Sequence, residues 1–338
     1  MSEPNFPIPT STVEYYRFLP RPTAAPRDRY WLHGLLLAAT VLTTLIVGAR
    51  MQFNFQHNLP LLSAGNGFIP FFPVEWTLRH PSRLLLGVPF SATLLAILLS
   101  HEMGHYLACR FYGVRATLPF FIPAPTVIGT LGAVIRIKAP IRSRAALFDI
   151  GIAGPIAGFV VGLGTLFVAL NLSKPLAPGI PAADLQLGLP QIFYLMQKLL
   201  RAVATGHAIS ALPLARVYLH PTAIAAWVGM YATALNLLPS GQLDGGHIVY
   251  ALVPRVHRAI SWITVAALVY LGWVAHRMDS LNYGWWFWAM LIAIMNVLTY
   301  RLEQAPEFPM IPANRWLLAL AGAAMLALTF TVSPFKAT

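Results

Sequence analysis

The segment LLSHEMGHYLA, residues 98–108, holds two histidines and a glutamate inside an apolar run that begins near Leu84. His101 and His105 are four residues apart, so on a helix both imidazoles project from one face, one turn apart, as two nitrogen ligands of zinc require. Glu102 stands beside the first histidine, where its carboxylate could take a proton from water and deliver it to a leaving amine. The spacing therefore predicts a hydrolytic zinc site.

The composition places this motif in a membrane protein. Of the 338 residues, 57% are hydrophobic and 10% are charged, whereas soluble domains carry about 25% charged residues. Apolar segments of the roughly 20 residues that cross a bilayer recur along the chain. We therefore expect an all-α polytopic membrane protein with about seven transmembrane helices. The predicted spans cover residues 31–49, 84–111, 145–170, 222–238, 259–276, 283–300 and 316–332.

The basic residues predict the orientation of these spans. The net charge is +12, but the Lys and Arg residues lie mostly between apolar segments, as juxtamembrane charges do. A nucleic-acid partner is therefore excluded. More of these basic residues fall in the connectors on the N-terminal side of the membrane than on the opposite side. This uneven distribution predicts a cytoplasmic N-terminus, a cytoplasmic tail over residues 1–30 and an active site toward the cytoplasmic side. We expect a multi-pass protein of the bacterial inner membrane. Cys109 is the single cysteine, so an internal disulfide is excluded and a buried thiol is expected.

A catalytic zinc usually takes three protein ligands, and the third must come from elsewhere in the chain. The candidate is Asp244 in NLLPSGQLDGGH, residues 236–247, where the flanking glycines let the backbone approach another element closely. From the residues alone, a helix that ends in an Asp-Gly turn at the membrane surface explains this acid equally well.

The two motifs together resemble the site-2 protease family of intramembrane zinc metalloproteases. The intervening sequence, residues 113–159, is similar to the subgroup called ethylene-dependent gravitropism-deficient and yellow-green proteases. The resemblance covers residues 84–254. It implies that Asp244 joins His101 and His105 in holding one Zn²⁺ per chain, and that Asn236 is catalytic. The Asn236 amide could donate to a scissile carbonyl as charge develops; its other reading is an amide that holds helices together.

The segment after HEMGH predicts a hairpin. Prolines at 119, 123 and 125 exclude a regular helix over residues 118–132. Residues 133–138 then alternate with a period of two: Val134, Arg136 and Lys138 fall on one side, and Ala133, Ile135 and Ile137 fall on the other. This period indicates a strand. We expect a short membrane-associated β-hairpin, which the family resemblance places as a re-entrant loop, and whose edge could pair with an extended substrate. The alternative is a surface loop packed on the spans.

Other features are interpreted as structural. Gly154, Gly158 and Gly162 recur at the spacing that lets membrane helices pack closely. Asp149 lies near the start of that helix, where negative charge is favoured. His247 is interpreted as a polar residue at the membrane boundary. Residues 191–206 have the pattern of an amphipathic helix lying on the membrane surface.

These observations predict a zinc endopeptidase that cuts peptide bonds within or beside the spans of membrane-protein substrates, in contact with the lipid bilayer. The chain divides into a tail at 1–30, a first span and connector at 31–83, a catalytic core at 84–254 and C-terminal helices at 255–338. Two alternatives remain open: a membrane zinc hydrolase acting on lipid or a small molecule, and a scaffold or chaperone that keeps the fold without catalysis.

Overall fold

The computed structural model describes residues 29–63, 69–141, 143–180, 183–203, 209, 211–278, 283–299 and 314–337. The predicted tail at 1–30 lies almost wholly outside these residues. Within them the chain is mostly helical. The helices are α1 (Tyr30–Gln56), α2 (Val74–Arg79), α3 (Val88–Phe111), α4 (Arg144–Leu172), α5 (Gln191–Val203), α6 (Pro221–Asn236), α7 (Asp244–Leu252), α8 (Pro254–Met278), α9 (Gly284–Thr299) and α10 (Asn314–Thr329).

Four segments of the described chain are helices long and apolar enough to cross a membrane: Tyr30–Gln56, Pro81–Phe111, Arg144–Leu172 and Pro254–Arg277. They correspond to four of the seven predicted spans. The other three predicted spans contain the helices α6, α9 and α10, whose described parts each have 16 residues. At 1.5 Å per residue each described part extends about 24 Å, which is less than the roughly 30 Å hydrocarbon core. Their helical structure agrees with the sequence, but seven spans are not established.

Short antiparallel strand pairs accompany the helices. Strand β1 (Phe120–Pro123) pairs with β2 (Thr130–Val134), and this pair is the hairpin expected after HEMGH. The regular part of β2 begins and ends earlier than the predicted 133–138, because the pairing with β1 ends at Val134 and only an isolated bridge joins Ala116 to Ile137. The remaining pairs are β3 (Lys174–Pro175) with β5 (Val217–Tyr218), and β4 (Leu185–Leu187) with β6 (Phe335–Ala337).

The hairpin lies along α1. At its open end, Pro119 accepts a hydrogen bond from His33 Nδ1 at 3.0 Å. Near its turn, the Gly129 carbonyl accepts one from Thr43 Oγ1 at 2.6 Å. Ten residues of α1 separate these two contacts, which corresponds to about 15 Å along the helix axis. The hairpin therefore reaches about halfway along a helix long enough to span the membrane.

The core forms where α3, α4 and α6 pack together. Small residues make these contacts close: a Cβ at Gly104 of α3 would lie 2.4 Å from the Ala153 carbonyl oxygen of α4, and one at Gly162 would lie 2.8 Å from the Met230 methyl of α6. The glycine spacing was predicted to hold the third span against the two motif helices, and these contacts agree with that role.

Two other sequence interpretations have clear structural outcomes. Helix α5 is amphipathic as predicted, and its apolar face, including Phe193 and Leu200, is buried in the protein. Asp149, in contrast, lies beyond the first turn of α4, which begins at Arg144. Its carboxylate is held in a bidentate ion pair by Arg315, at 2.8 and 2.6 Å. The prediction that this charge serves the helix dipole was therefore wrong.

Candidate metal centre

The HEMGH histidines lie on one buried face of α3, as their spacing predicts. His101 and His105 are each 6% exposed and Glu102 is 7% exposed. His101 is ten residues before the last residue of α3, which corresponds to about 15 Å. The three side chains are therefore well inside an apolar helix rather than at its end.

Asp244 reaches these histidines because the chain turns back after α6. Helix α6 ends at Asn236, and Asp244 is the first residue of α7. A Cβ at Gly245 would lie 2.1 Å from the Leu237 carbonyl oxygen, so glycine is required where α7 folds against the end of α6. The carboxylate also lies at the positive end of the α7 dipole, where a negative charge is stabilised.

Three potential ligand atoms converge between α3 and α7. Asp244 Oδ2 lies 3.1 Å from His101 Nε2 and 3.2 Å from His105 Nε2. The two histidine nitrogens are 3.1 Å apart. Tetrahedral zinc with bonds of about 2.1 Å separates its ligand atoms by roughly 3.4 Å. The three atoms thus have the spacing of one face of a zinc tetrahedron.

The hydrogen bonds of His105 support the same interpretation. Its Nδ1 donates to the Ile150 carbonyl oxygen at 2.7 Å, so in the neutral ring Nε2 carries the lone pair. That lone pair faces an acceptor oxygen of Asp244 and the Nε2 of His101. Acceptors arranged in this way repel one another unless a cation or proton lies between them. His101, His105 and Asp244 therefore fit a metal ion chemically as well as by distance.

Helix α4 packs closely against both histidines. A Cβ at Gly154 would lie only 2.0 Å from His105 Nε2, and one at Gly158 would lie 3.1 Å from the His101 Cβ. Glycine at 154 is therefore required by the position of the imidazole. Sequence reasoning identified the glycine stripe as packing, but it did not connect these positions to the metal ligands.

A cavity of about 270 Å³ opens at the three ligand atoms. Glu102 and Asn236 also line it, and the Asn236 amide nitrogen lies 3.2 Å from His101 Nε2. All five residues predicted for the site are thus brought together. Gln242 and His247 line the same cavity. His247 had been interpreted as a boundary residue, but it follows Asp244 by three residues in α7 and so shares its face.

The hairpin forms another wall of this cavity. Ala133, Val134, Ile135 and Ile137 are lining residues. The backbone N–H groups of Arg136 and Lys138 bond away from the cavity, to Thr117 Oγ1 and the Arg115 carbonyl. Because backbone groups alternate along a strand, those of Ile135 and Ile137 point to the opposite edge. The Ile135 N–H approaches the Glu102 carboxylate.

Cys109 lies one turn beyond His105 but does not line the cavity. It is fully buried among Val114, Ala146 and Ile150. This placement confirms the prediction of a small buried thiol.

Comparisons with known proteins agree with this geometry. The model of peptidase family M50 matches residues 89–276. The probable chloroplastic zinc metalloprotease EGY1 of Arabidopsis thaliana is 30% identical over 310 residues, covering 88% of this chain and 52% of the relative. The probable chloroplastic zinc metalloprotease EGY2 of Oryza sativa subsp. indica is 32% identical over 295 residues, covering 86% and 46%. The chain thus spans about half the length of these relatives. It belongs to peptidase family M50, the site-2 proteases, and resembles the EGY subgroup.

Proposed function

We propose that the protein is an intramembrane zinc metalloendopeptidase. The observation that supports this function best is the convergence of His101, His105 and Asp244, with ligand atoms 3.1–3.2 Å apart, in a cavity shared with Glu102. The named relatives are described as zinc metalloproteases, which supports the same metal and reaction class. His101, His105 and Asp244 would hold one zinc ion per chain. When bound, zinc would polarise the scissile carbonyl and make a water more acidic.

Glu102 is the general base and acid in this proposal. It is adjacent to His101 on α3 and lines the same cavity, so its carboxylate can take a proton from the attacking water. The same carboxyl group then delivers that proton to the leaving amine. Burial limits the access of bulk water to the Glu102 carboxylate, and the nearby Ile135 N–H orients that carboxylate.

Asn236 is proposed to assist by donating from its amide. Its nitrogen lies 3.2 Å from His101 Nε2, so a carbonyl held beside the metal ligands would be within reach. A donor in this position stabilises the negative charge that develops on the scissile oxygen. The packing alternative predicts instead that Asn236 contributes to stability and little to turnover.

The hairpin is proposed to hold the substrate as an added strand. A transmembrane helix hides its peptide bonds, so the substrate must be extended before it can be cut. Ile135 and Ile137 present backbone groups along the cavity wall that faces the ligands. Main-chain pairing with this edge would place an extended segment beside Glu102. The substrates proposed are therefore transmembrane segments of membrane proteins.

The chain is an integral membrane protein, because its family is membrane-embedded and four of its described helices are long enough to span a bilayer. The finer arrangement is a proposal: seven spans, a cytoplasmic N-terminus and active-site side, and a catalytic core at 84–254 with the C-terminal helices outside it. The bacterial inner membrane also stays a prediction, because the plant relatives carry the description chloroplastic.

Reconstitution with candidate transmembrane peptides tests the proposed function. The wild type should cleave a peptide bond within or beside the apolar segment, and a chelator should abolish cleavage. Glu102→Gln should retain zinc but lose at least about 100-fold in rate, which is the contribution expected of a general base. Cleavage that persists in Glu102→Gln would refute the catalytic assignment. Hydrolysis of lipid without peptide cleavage would favour the small-molecule hydrolase. A folded, zinc-loaded wild type that hydrolyses neither peptide nor lipid would favour a scaffold.

Asp184→Asn is a matched control for the ligand variant Asp244→Asn. Both substitutions remove one carboxylate charge, and Asp184 lies just before β4, away from the metal centre. Asp244→Asn should lower the zinc content measured by mass spectrometry, and Asp184→Asn should not. Equal zinc content in the two variants would contradict the assignment of Asp244 as a ligand.

A further inference from the structure

A second cavity lies at the opposite end of the helices from the metal centre. Thr44 of α1 bonds Ser91 of α3 at 2.7 Å, and Gly48 packs on Gly87. The two helices are therefore antiparallel, and the end of α1 lies beside the start of α3. Here a cavity of about 340 Å³ opens. From Val88, near this cavity, to His101 is about 20 Å along α3.

The rim of this cavity is basic and aromatic. Arg50, Arg79 and His80 line it, together with Trp76 and one acidic residue, Glu75. Two cations lie close to the Trp76 ring: the Arg50 Cζ is 5.0 Å from the ring centroid and the Arg83 Cζ is 5.8 Å from it. Both guanidinium groups also lie over the Phe53 ring, at 5.9 and 4.6 Å.

The close approach of Arg50 and Arg83 is unfavourable by itself, because the two like charges interact. The aromatic faces offset part of this repulsion. An anion bound at Arg50, which lines the cavity, would offset more of it, and guanidinium groups match phosphate oxygens in geometry. The basic excess around the rim therefore indicates a ligand that carries negative charge.

The floor of the same cavity is apolar. Val47, Met51, Leu62 and Phe72 line it and are each less than 8% exposed. Phe71, another lining residue, has a φ of +62°, a left-handed conformation that is rare for a bulky side chain. Such strain concentrates at functional sites. A small inorganic anion would leave this apolar floor exposed, whereas an acyl chain would cover it.

We propose that this cavity binds an anionic phospholipid, with its phosphate at the basic rim formed by Arg50 and Arg79 and an acyl chain on the apolar floor. The position supports a lipid, because Arg50 and Arg83 lie near the ends of two helices long enough to span the bilayer, where head groups are found. The single acid on the rim favours an anionic lipid such as phosphatidylglycerol over a zwitterionic one. Binding does not depend on the proposed protease activity.

Native mass spectrometry of the full-length protein tests this site. The protein is purified from nanodiscs of phosphatidylcholine, with or without phosphatidylglycerol, and the retained lipid is identified and titrated. The wild type should retain phosphatidylglycerol in preference to phosphatidylcholine. Arg50→Gln and Arg79→Gln should each weaken retention roughly tenfold or more, the effect of losing a charge-assisted hydrogen bond.

Lys198→Gln is the matched control, because it removes one positive charge from an exposed position of α5 outside the cavity. It should leave retention unchanged. Arg79 is exposed, so its variant should fold even if Arg50→Gln does not. Equal retention in the arginine variants and the control would overturn the site. Displacement of the lipid by inorganic phosphate alone would overturn the assignment to a lipid.

Discussion

His105 Nδ1 donates to the backbone carbonyl of Ile150 across 2.7 Å, and this bond fixes the imidazole against α4. The ring then points its other nitrogen at Asp244. The contact is possible because Gly154, one turn later on α4, has no side chain. A candidate metal ligand on one helix is thus oriented by the backbone of a second helix and lies beside a carboxylate on a third.

Gly154→Ala should displace His105 and weaken zinc binding. The added Cβ would lie 2.0 Å from His105 Nε2, so either the imidazole must rotate away or α3 must move away from α4 and give up its close packing at Gly104. We expect a roughly 10- to 100-fold loss of zinc affinity, as when the support of a metal ligand is removed. Gly164→Ala, where a Cβ would meet nothing within 4 Å, is the control. Normal zinc affinity in Gly154→Ala would contradict the described position of His105.

Asn236→Ala separates catalytic support from packing. If the amide stabilises developing charge, kcat should fall roughly 100-fold while zinc content and KM change little. Asn171→Ala is a suitable control, since the Asn171 amide bonds the Phe167 carbonyl within α4. A fall in melting temperature with an unchanged kcat would instead identify Asn236 as a residue that holds helices together.

Gly129→Ala should undock the hairpin from α1. Gly129 has a φ of +80°, and a Cβ there would lie 2.7 Å from the Thr43 carbonyl oxygen. We expect a higher KM for transmembrane peptides with zinc content preserved, because the substrate-binding edge would move while the ligands stay. Gly132→Ala provides a comparison, since Gly132 also has a positive φ, +104°, but open space around its Cβ. An equal effect in both variants would indicate strain alone.

Asp149→Asn should reduce stability without reducing turnover. Asp149 accepts a bidentate ion pair from Arg315 and a hydrogen bond from the Tyr112 hydroxyl. These contacts join the end of α3, the start of α4 and the start of α10. We expect a loss of about 1–3 kcal/mol in unfolding free energy, measured by denaturation in detergent. A changed kcat for the folded, zinc-loaded variant would show that this cluster also affects the site.

His220 should make stability depend on pH in the acidic range. It precedes α6, outside the membrane-spanning segments, and its Nδ1 accepts from the Thr222 backbone N–H at 3.2 Å. Burial lowers the pKa of His220 from 6.5 to about 4. A lowered folded-state pKa stabilises the protein above pH 6.5, and this contribution is lost as the pH falls toward 4.

Melting curves between pH 7 and pH 4 measure this dependence in zinc-free protein. His220→Asn keeps an acceptor for the helix N-terminus but cannot titrate, so its melting temperature should fall less steeply with acid. Identical slopes for the wild type and His220→Asn would show that protonation of His220 does not control the acid sensitivity.

The shared face of His101 and His105 could be predicted because it depends on short-range spacing, whereas Asp244 was predicted as their partner only through the family resemblance. Two histidines four residues apart must share a helix face, and glycines around Asp244 permit a close approach. The role of Gly154 could not be predicted in this way, since it depends on which face of α4 meets α3. Similarly, the regular part of β2 begins and ends earlier than the predicted strand. Its position is set by pairing with β1 rather than by its own alternation.

Span number was less predictable for a related reason. Hydropathy identified apolar segments but did not distinguish a helix that faces lipid from one that is buried in the bundle. Helix α6 is almost entirely buried against its neighbours, so its apolar composition reflects protein packing as much as lipid. Its 16 residues show that such a helix need not have the full length of the bilayer.

The contact between Gly154 and His105 also shows that a substitution can suit a membrane helix and still be too large for its position. Replacing glycine by alanine makes a helix more hydrophobic and a better helix former, so scales of membrane insertion and helix propensity would score the change as harmless. Here the same methyl group would occupy the space of a metal ligand. Tolerance to substitution in this helix is therefore governed by volume, and a screen of conservative apolar changes along α4 would reveal the outline of the metal centre.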